Sequence, residues 1–248
     1  MEVKSFRSFD GTVLDYVYLK GRNPVIVFVP AMGFDWTYWK RSLEYFSEKG
    51  HGVLALTLRG HSRARTQLRR ISMEDHLKDL KSVLSELKIM HPVLVGASLG
   101  GAVAAAYKAE NKKSVCICIN TPFDSKRQLR SYIKVLVWLC TPIVRLDFFP
   151  RPTLPRLDFS SSRITNNIIL ILKGILKFNS YGIYLNYLCL KKSVPVKPTG
   201  CIVICSNKDE AVKITPKADY IIAGNHNCVI SKSQQINALL ERVINIRD

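Results

Sequence analysis

The sequence predicts an α/β protein with a mostly parallel sheet, and two patterns along the chain support this class. In the first half, short apolar runs typical of buried strands alternate with segments of helical periodicity. Repeated strand–helix–strand units require a parallel sheet with helices on both faces. Residues 121–197 interrupt the alternation, which resumes at residue 201. The sequence therefore predicts a core of residues 1–120 and 198–248, with a helical cap of residues 121–197 inserted after the sixth strand.

Each element is predicted from its own pattern of apolar residues. The first two strands flank Asp10-Gly11, a turn signal, so they should pair antiparallel at one sheet edge. The later strands are continuous apolar runs, typical of strands covered on both faces. The predicted strands are Glu2–Ser8, Val13–Leu19, Pro24–Val29, Val53–Leu58, Pro92–Val95, Val115–Ile119, Cys201–Cys205 and Tyr220–Ala223. The predicted core helices are Trp36–Lys49, Ile71–Met90, Leu99–Ala109 and Ser233–Ile246, and the cap helices are Leu129–Leu139, Asn167–Phe178 and Tyr181–Leu190.

The composition is that of an ordinary globular chain kept in a reducing compartment. The 248 residues are 47% hydrophobic, which excludes wholesale disorder and suffices for one sizeable core. The seven cysteines are odd in number and mostly lie inside strand-like runs, which indicates small buried side chains instead of a disulfide framework. No cysteine or histidine spacing is typical of zinc ligands. No signal peptide and no membrane-spanning run is recognised, so a cytoplasmic protein is expected.

The net charge of +18 is the unusual property of the chain, and it is unevenly distributed. Residues 121–200 carry 13 Lys and Arg against three Asp. Such a surface attracts phosphates, and an anionic membrane surface is a candidate partner of the basic cap, whereas nucleic acid is not expected. The alternative is that the charge serves solubility alone, because net charge informs association and not fold.

The strongest local motif is Gly96-Ala97-Ser98-Leu99-Gly100-Gly101, which lies directly after a predicted strand and before a predicted helix. A nucleophilic serine needs its hydroxyl presented by a tight, strained turn, and small flanking residues leave room for that backbone. The N-terminus of the following helix directs N–H groups toward a developing oxyanion. The alternative is a glycine-rich turn that only helps the helix to pack.

This arrangement resembles the α/β-hydrolase superfamily, in particular its compact esterase, lipase and aminopeptidase-like members. In that superfamily the catalytic residues follow one another in the order serine, acid, histidine. The resemblance implies Ser98 as nucleophile, Asp209 after the next core strand as the acid, and His226 after the last strand as the base. Glu210 stays open as an alternative acid. Among the other histidines, His76 is expected on a surface helix.

The same resemblance implies an oxyanion hole formed by backbone N–H groups. One donor would be Leu99, directly after the nucleophile. The second would come from the loop after the third strand, where Pro30 and Ala31 replace the usual His-Gly pair. Met32 is the expected donor, with Ala31 as the alternative, because a backbone donor tolerates side-chain changes.

The expected activity is hydrolysis of a carboxylic ester with a hydrophobic acyl group, through an acyl-enzyme on Ser98. Phe34, Trp36 and Ile171 are the candidate pocket residues, since they are apolar and lie near the oxyanion loop or in the cap. A thioesterase, or a lysophospholipase or monoacylglycerol lipase, stays open. So does a non-catalytic protein that binds an anionic partner through its basic cap. No cofactor and no metal is expected, because nucleotide-binding glycine motifs are not recognised.

Overall fold

A computed structural model describes residues 1–60, 70–131, 180–192, 199–214 and 218–245. In this part of the chain, eight strands form one sheet in the order β1-β2-β4-β3-β5-β6-β7-β8. β1 pairs antiparallel with β2 and β2 with β4, whereas all later pairs are parallel. The strands are β1 Lys4–Arg7, β2 Val13–Leu19, β3 Arg22–Val29, β4 His51–Leu56, β5 Val93–Ala97, β6 Val115–Ile119, β7 Cys201–Ser206 and β8 Tyr220–Ile222.

Helices cover both faces of this sheet, as parallel strands require. The 3₁₀ helix Trp36–Trp39 leads into α1, Lys40–Glu48. The others are α2 Met73–Glu86, α3 Leu99–Glu110, α4 Ser125–Gln128, α5 Ser180–Lys192, α6 Cys228–Ser231 and α7 Ser233–Asn245. The start of α2 is a capping box, in which the Ser72 hydroxyl accepts from the Asp75 N–H and the Asp75 carboxylate accepts from the Ser72 N–H.

Alternate strand residues supply the two layers of the core. Val27, Leu54 and Leu94 point to one face, where α2 and α3 pack. The neighbouring residues Phe28 and Val95 point to the other, where α1 and α7 pack. Because successive side chains of a strand alternate between faces, a strand buried on both sides needs an unbroken apolar run. This is the pattern that predicted the strands.

The predicted α/β class with a mostly parallel sheet is confirmed, including the antiparallel edge before the first parallel strand. Helix α5 corresponds to the third predicted cap helix. The predicted cap helix at residues 167–178, and most of that at 129–139, lie outside the described residues. The division into core and cap therefore stays a prediction. None of the helices described is long and apolar enough to cross a bilayer.

His76 lies on the inner face of α2 and is fully buried. Its Nε2 lies 2.6 Å from Oδ1 of Asn186 in α5, and the Asn186 amide donates to the Arg59 carbonyl at 2.9 Å. Burial lowers the pKa of His76. The helical period explains its position, since His76 shares a face with Leu80 and Val83, four and seven residues later. The contact fixes α5 against the loop after β4.

The loop after β4 is itself held by a buried ion pair. The Arg59 side chain is 3% exposed and forms two contacts with the Asp79 carboxylate of α2, at 2.7 and 2.5 Å. Asp10, in the turn between β1 and β2, accepts a further bond from Arg59 at 3.0 Å. A buried guanidinium needs such partners, because an unpaired buried charge is strongly destabilising. This network fixes the residues directly after β4 against α2 and the turn between β1 and β2.

Candidate active site

Ser98 occupies a strained turn between β5 and α3. Its backbone angles are φ 50 and ψ −117, and it is the N-cap residue of α3. A non-glycine residue rarely adopts positive φ, and such a conformation costs about 1–3 kcal/mol, so it persists only where the surroundings enforce it. Here the Ser98 N–H donates to the Ile119 carbonyl of β6 at 2.9 Å. This is the conformation that a nucleophile at a strand-to-helix turn requires.

The flanking glycines are required by close backbone packing. A Cβ on Gly96 would lie 2.3 Å from the Gly100 carbonyl oxygen, and a Cβ on Gly100 would lie 2.3 Å from that of Val29. Packing therefore explains the glycines of the motif. It does not explain the strain, because the residue with positive φ is the serine and not one of these glycines.

The close approach at Gly100 places the start of α3 against the end of β3. Leu99 is the first residue of α3, and the first N–H groups of a helix have no acceptor within it. In the loop after β3, the Phe34 N–H donates to the Ala31 carbonyl at 3.2 Å, and Gly33 supplies the φ of 87 that this turn needs. Met32 is the other central residue of this turn. The two predicted oxyanion donors thus lie on segments in contact, and their role stays a prediction.

Asp209 and His226 meet at the carboxyl ends of the last two strands. Asp209 follows β7 and His226 follows β8, and Nδ1 of the imidazole lies 3.0 and 2.9 Å from the two carboxylate oxygens. The carboxylate is almost fully buried. Its Oδ1 also accepts from the N–H groups of Ala211 and Val212, both at 2.8 Å. These bonds fix the carboxylate in the orientation that the imidazole meets.

Glu210, the alternative acid, contacts the same histidine differently. Its Oε2 accepts from the backbone N–H of His226 at 3.0 Å, whereas the ring bonds Asp209. The geometry therefore favours Asp209 over Glu210 as the partner of the imidazole. Although burial opposes protonation, the charge and hydrogen bond of Asp209 raise the pKa of His226 above its ordinary value.

Asn120 is a residue of this site that the sequence did not indicate. It follows β6, is 2% exposed and has φ 47. Its Oδ1 accepts from the Ser206 N–H of β7 at 2.7 Å, and its amide donates to the carbonyls of Asn225 at 3.3 Å and His226 at 3.0 Å. One side chain thus connects three strand ends. One signal in the sequence could have indicated Asn120. It directly follows β6, the strand between β5, which leads to Ser98, and β7, which leads to Asp209.

The first residues of the predicted cap support the acid loop. The Arg130 N–H donates to the Ala211 carbonyl at 3.0 Å, and the Lys213 N–H donates to that of Gln128 at 2.8 Å. The Arg130 guanidinium also donates to the Asp209 carbonyl at 3.0 Å. These bonds form a short antiparallel bridge. The Asp209 loop is therefore held both by its own turn and by a strand-like segment after α4.

The candidate pocket residues are only partly described. Phe34 and Trp36 are half-buried and pack against the core layer of α1 and α7, and the Phe34 ring lies 4.7 Å from that of Tyr38. Ile171 lies outside the described residues. The assignment of Phe34 and Trp36 to a substrate pocket therefore stays a prediction, although both follow the oxyanion loop.

The family follows from comparison with known proteins, which agrees with this geometry. A family model described as the alpha/beta hydrolase fold matches residues 24–168, more than half of the chain. The chain belongs to the α/β-hydrolase fold family. No curated protein matches its sequence. The resemblance inferred from the serine motif is confirmed at this level.

Solved structures of similar fold extend over nearly the whole chain of this α/β-hydrolase. An esterase from Thermogutta terrifontis superimposes with a TM-score of 0.74 at 17% identity, covering 99% of this chain and 98% of its own. An enol-lactonase from Burkholderia xenovorans gives 0.73 at 18%, covering 98% and 100%. A protein described as an aryl esterase, from Burkholderia cenocepacia, gives a TM-score of 0.70 at 16% identity, covering 99% of this chain and 98% of its own. At these identities the likeness concerns the fold alone.

Proposed function

We propose that this α/β-hydrolase is a serine esterase with Ser98 as nucleophile, His226 as general base and Asp209 as the residue that orients the base. The observation that carries the proposal is the strained backbone of Ser98, whose φ is 50. Ser98 lies at the same sheet edge as the buried carboxylate of Asp209, which is bonded to the His226 imidazole. The hydrolytic class is supported by the family, and several proteins of similar structure are esterases.

The proposed reaction begins with proton transfer from Ser98 to His226. With Nδ1 held by Asp209, Nε2 is the imidazole nitrogen that accepts the proton. The serine oxygen attacks the ester carbonyl, and the tetrahedral intermediate expels the alcohol, which takes the proton from His226. Water then attacks the acyl-enzyme with His226 again as base, which releases the acid and regenerates Ser98. Asp209 orients the imidazole and stabilises the imidazolium that forms.

The oxyanion of the intermediate is assigned to backbone donors. Leu99 at the start of α3 offers an N–H and the positive end of the helix dipole. Met32 offers the second N–H from the turn after β3, with Ala31 as the alternative. Loss of a single such donor reduces kcat by about 10²–10³-fold in enzymes of this type.

A hydrophobic acyl group is the proposed substrate feature, with Phe34 and Trp36 at the pocket wall. Both are half-buried aromatics beside the Met32 turn, and aromatic walls suit an apolar acyl chain. A thioester, a lysophospholipid or a monoacylglycerol would use the same serine chemistry. The contrasting possibility is a non-catalytic protein that binds an anionic partner through the basic residues of 121–200. The experiment must distinguish this possibility from an esterase.

The test is hydrolysis of p-nitrophenyl esters of increasing acyl length by the wild type and by Ser98→Ala. Loss of the nucleophile should reduce kcat by about 10⁴–10⁶-fold, and the preferred chain length reports the size of the pocket. Ser114→Ala is a suitable control, since Ser114 is buried at the entry end of β6, away from the strand ends of the site. Equal inactivity of all three proteins on esters, thioesters and lipids would remove the proposal.

A further inference from the structure

Three cysteine side chains converge in the layer between the sheet and α3, outside the proposed active site. Cys116 and Cys118 are two residues apart in β6 and therefore point to the same face. Cys201, the first residue of β7, is the direct neighbour of Cys116 across the strand pair. Their three sulfur atoms all lie within 4.8 Å of one another, and those of Cys116 and Cys118 are 3.6 Å apart.

The surroundings of this cysteine cluster differ from those of ordinary core cysteines. Cys116 and Cys118 are fully buried, whereas Cys201 is partly exposed and connects the cluster to solvent. Lys108 of α3 lies beside Gly200, the residue before Cys201, and its ammonium group donates to the Lys112 carbonyl. A Cβ placed on Gly200 would lie 3.2 Å from its Cε and 3.9 Å from its Nζ. An ammonium group beside the opening favours negative charge, and thiolates are the form in which cysteines bind metals.

We propose that the cysteine cluster binds one soft metal ion, Cu(I), through the sulfur atoms of Cys116, Cys118 and Cys201. Sulfur atoms this close can reach a common ion at the metal–sulfur distance of about 2.3 Å that thiolate sites show. All-thiolate donor sets select soft ions such as Cu(I) and zinc. Each thiol that ligates as a thiolate releases its proton to solvent, and the ion is exchanged through the Cys201 opening.

The number of donors decides between these ions. Within the described ranges, the group contains three donors and no fourth histidine, cysteine or carboxylate. Structural zinc sites are almost always four-coordinate, whereas Cu(I) binds well to fewer than four ligands when all of them are sulfur. Cys118 at present donates to the Gly101 carbonyl at 3.4 Å, a weak bond that ligation would replace.

The spacing of the cysteines along the sequence does not predict this site, because β7 is brought beside β6 only by the fold. Buried cysteines are also common as small core residues. Cys189 fits that description, because it is buried in α5 and does not belong to the cysteine cluster. Cys189 therefore provides the matched control.

The experiment is anaerobic titration of the reduced 248-residue chain with Cu(I), in competition with a Cu(I) chelator of known affinity. The wild type and Cys189→Ala should each bind one Cu(I) with sulfur-to-copper charge-transfer absorption. Cys201→Ser and Cys116→Ala should bind at least about 100-fold more weakly, more than the loss of a group that only supports a ligand. Bound ion should also raise the Tm of the wild type and not that of Cys201→Ser.

Cys201→Ser is expected to fold normally, because Cys201 is partly exposed and its replacement leaves the buried layer intact. A loss of Cu(I) binding in this variant is therefore not due to misfolding. Its Tm without metal should match that of the wild type. Equal Cu(I) binding by wild type and Cys201→Ser, or no binding by either, would overturn the site. Tighter binding of Zn(II) than of Cu(I), in the same titration, would overturn the choice of ion. None of these readouts uses ester hydrolysis.

Discussion

The two halves of the proposed active site are positioned by different means. On the β5 side, Ser98 is held by backbone strain and by close backbone contacts at Gly96 and Gly100. On the β7–β8 side, His226 is held by side chains, namely the carboxylate of Asp209 and the amide of Asn120. Backbone contacts survive most side-chain substitutions, whereas a side-chain bond is lost with its side chain. Single substitutions should therefore affect the second half with little effect on the first.

The largest effect on the β7–β8 side is expected from Asp209→Asn. An amide cannot stabilise the imidazolium and allows the wrong tautomer, so kcat should fall by about 10⁴-fold. Glu210→Gln is the matched control, because the Glu210 carboxylate accepts from the backbone N–H of His226, and a glutamine oxygen can accept the same bond. It should retain kcat within about tenfold. Ester hydrolysis at saturating substrate measures both. Equal losses would make Glu210 an equal partner and contradict the assignment.

A smaller effect is expected from Asn120→Gly. Glycine accepts the φ of 47 at this position and removes only the side chain. The carbonyls of Asn225 and His226 then lose their donor and the loop can shift, and a displacement near 1 Å costs about 10²-fold in rate. We expect kcat to fall while KM changes little. Asn111→Ala, at the far end of α3, is the control. A rise in KM with unchanged kcat would show that Asn120 does not position the base.

The pH profile should report the β7–β8 side in the unmodified protein. The general base must be neutral, and the charge and hydrogen bond of Asp209 raise the pKa of His226 above 6.5 despite burial. On the acid side, kcat/KM should therefore fall by about tenfold for each pH unit below a midpoint higher than 6.5. In Asp209→Asn the midpoint should move to lower pH. A wild-type midpoint below 6.5 would contradict the paired geometry.

What the sequence predicts depends on whether a feature is encoded in a short segment or in contacts between distant segments. The strands and the Ser98 turn are encoded in short runs, because unbroken apolar segments and a Gly-x-Ser-x-Gly motif carry their meaning within a few residues. Asn120 and the cysteine cluster depend on which strands become neighbours, and no local pattern contains that. His76 is an intermediate case, because its spacing from Leu80 and Val83 is local, whereas its partner Asn186 is brought beside it only by the fold.

The central claim is that His226 and Asp209 activate Ser98, and covalent labelling tests it most directly. The wild type, Ser98→Ala and His226→Ala are treated with a fluorophosphonate probe, and the adduct is located by peptide mass spectrometry. We expect one adduct per chain on Ser98 in the wild type, none in Ser98→Ala, and labelling slowed by several orders of magnitude in His226→Ala. An unlabelled wild type, or labelling of Ser98 at the same rate without His226, would contradict the claim.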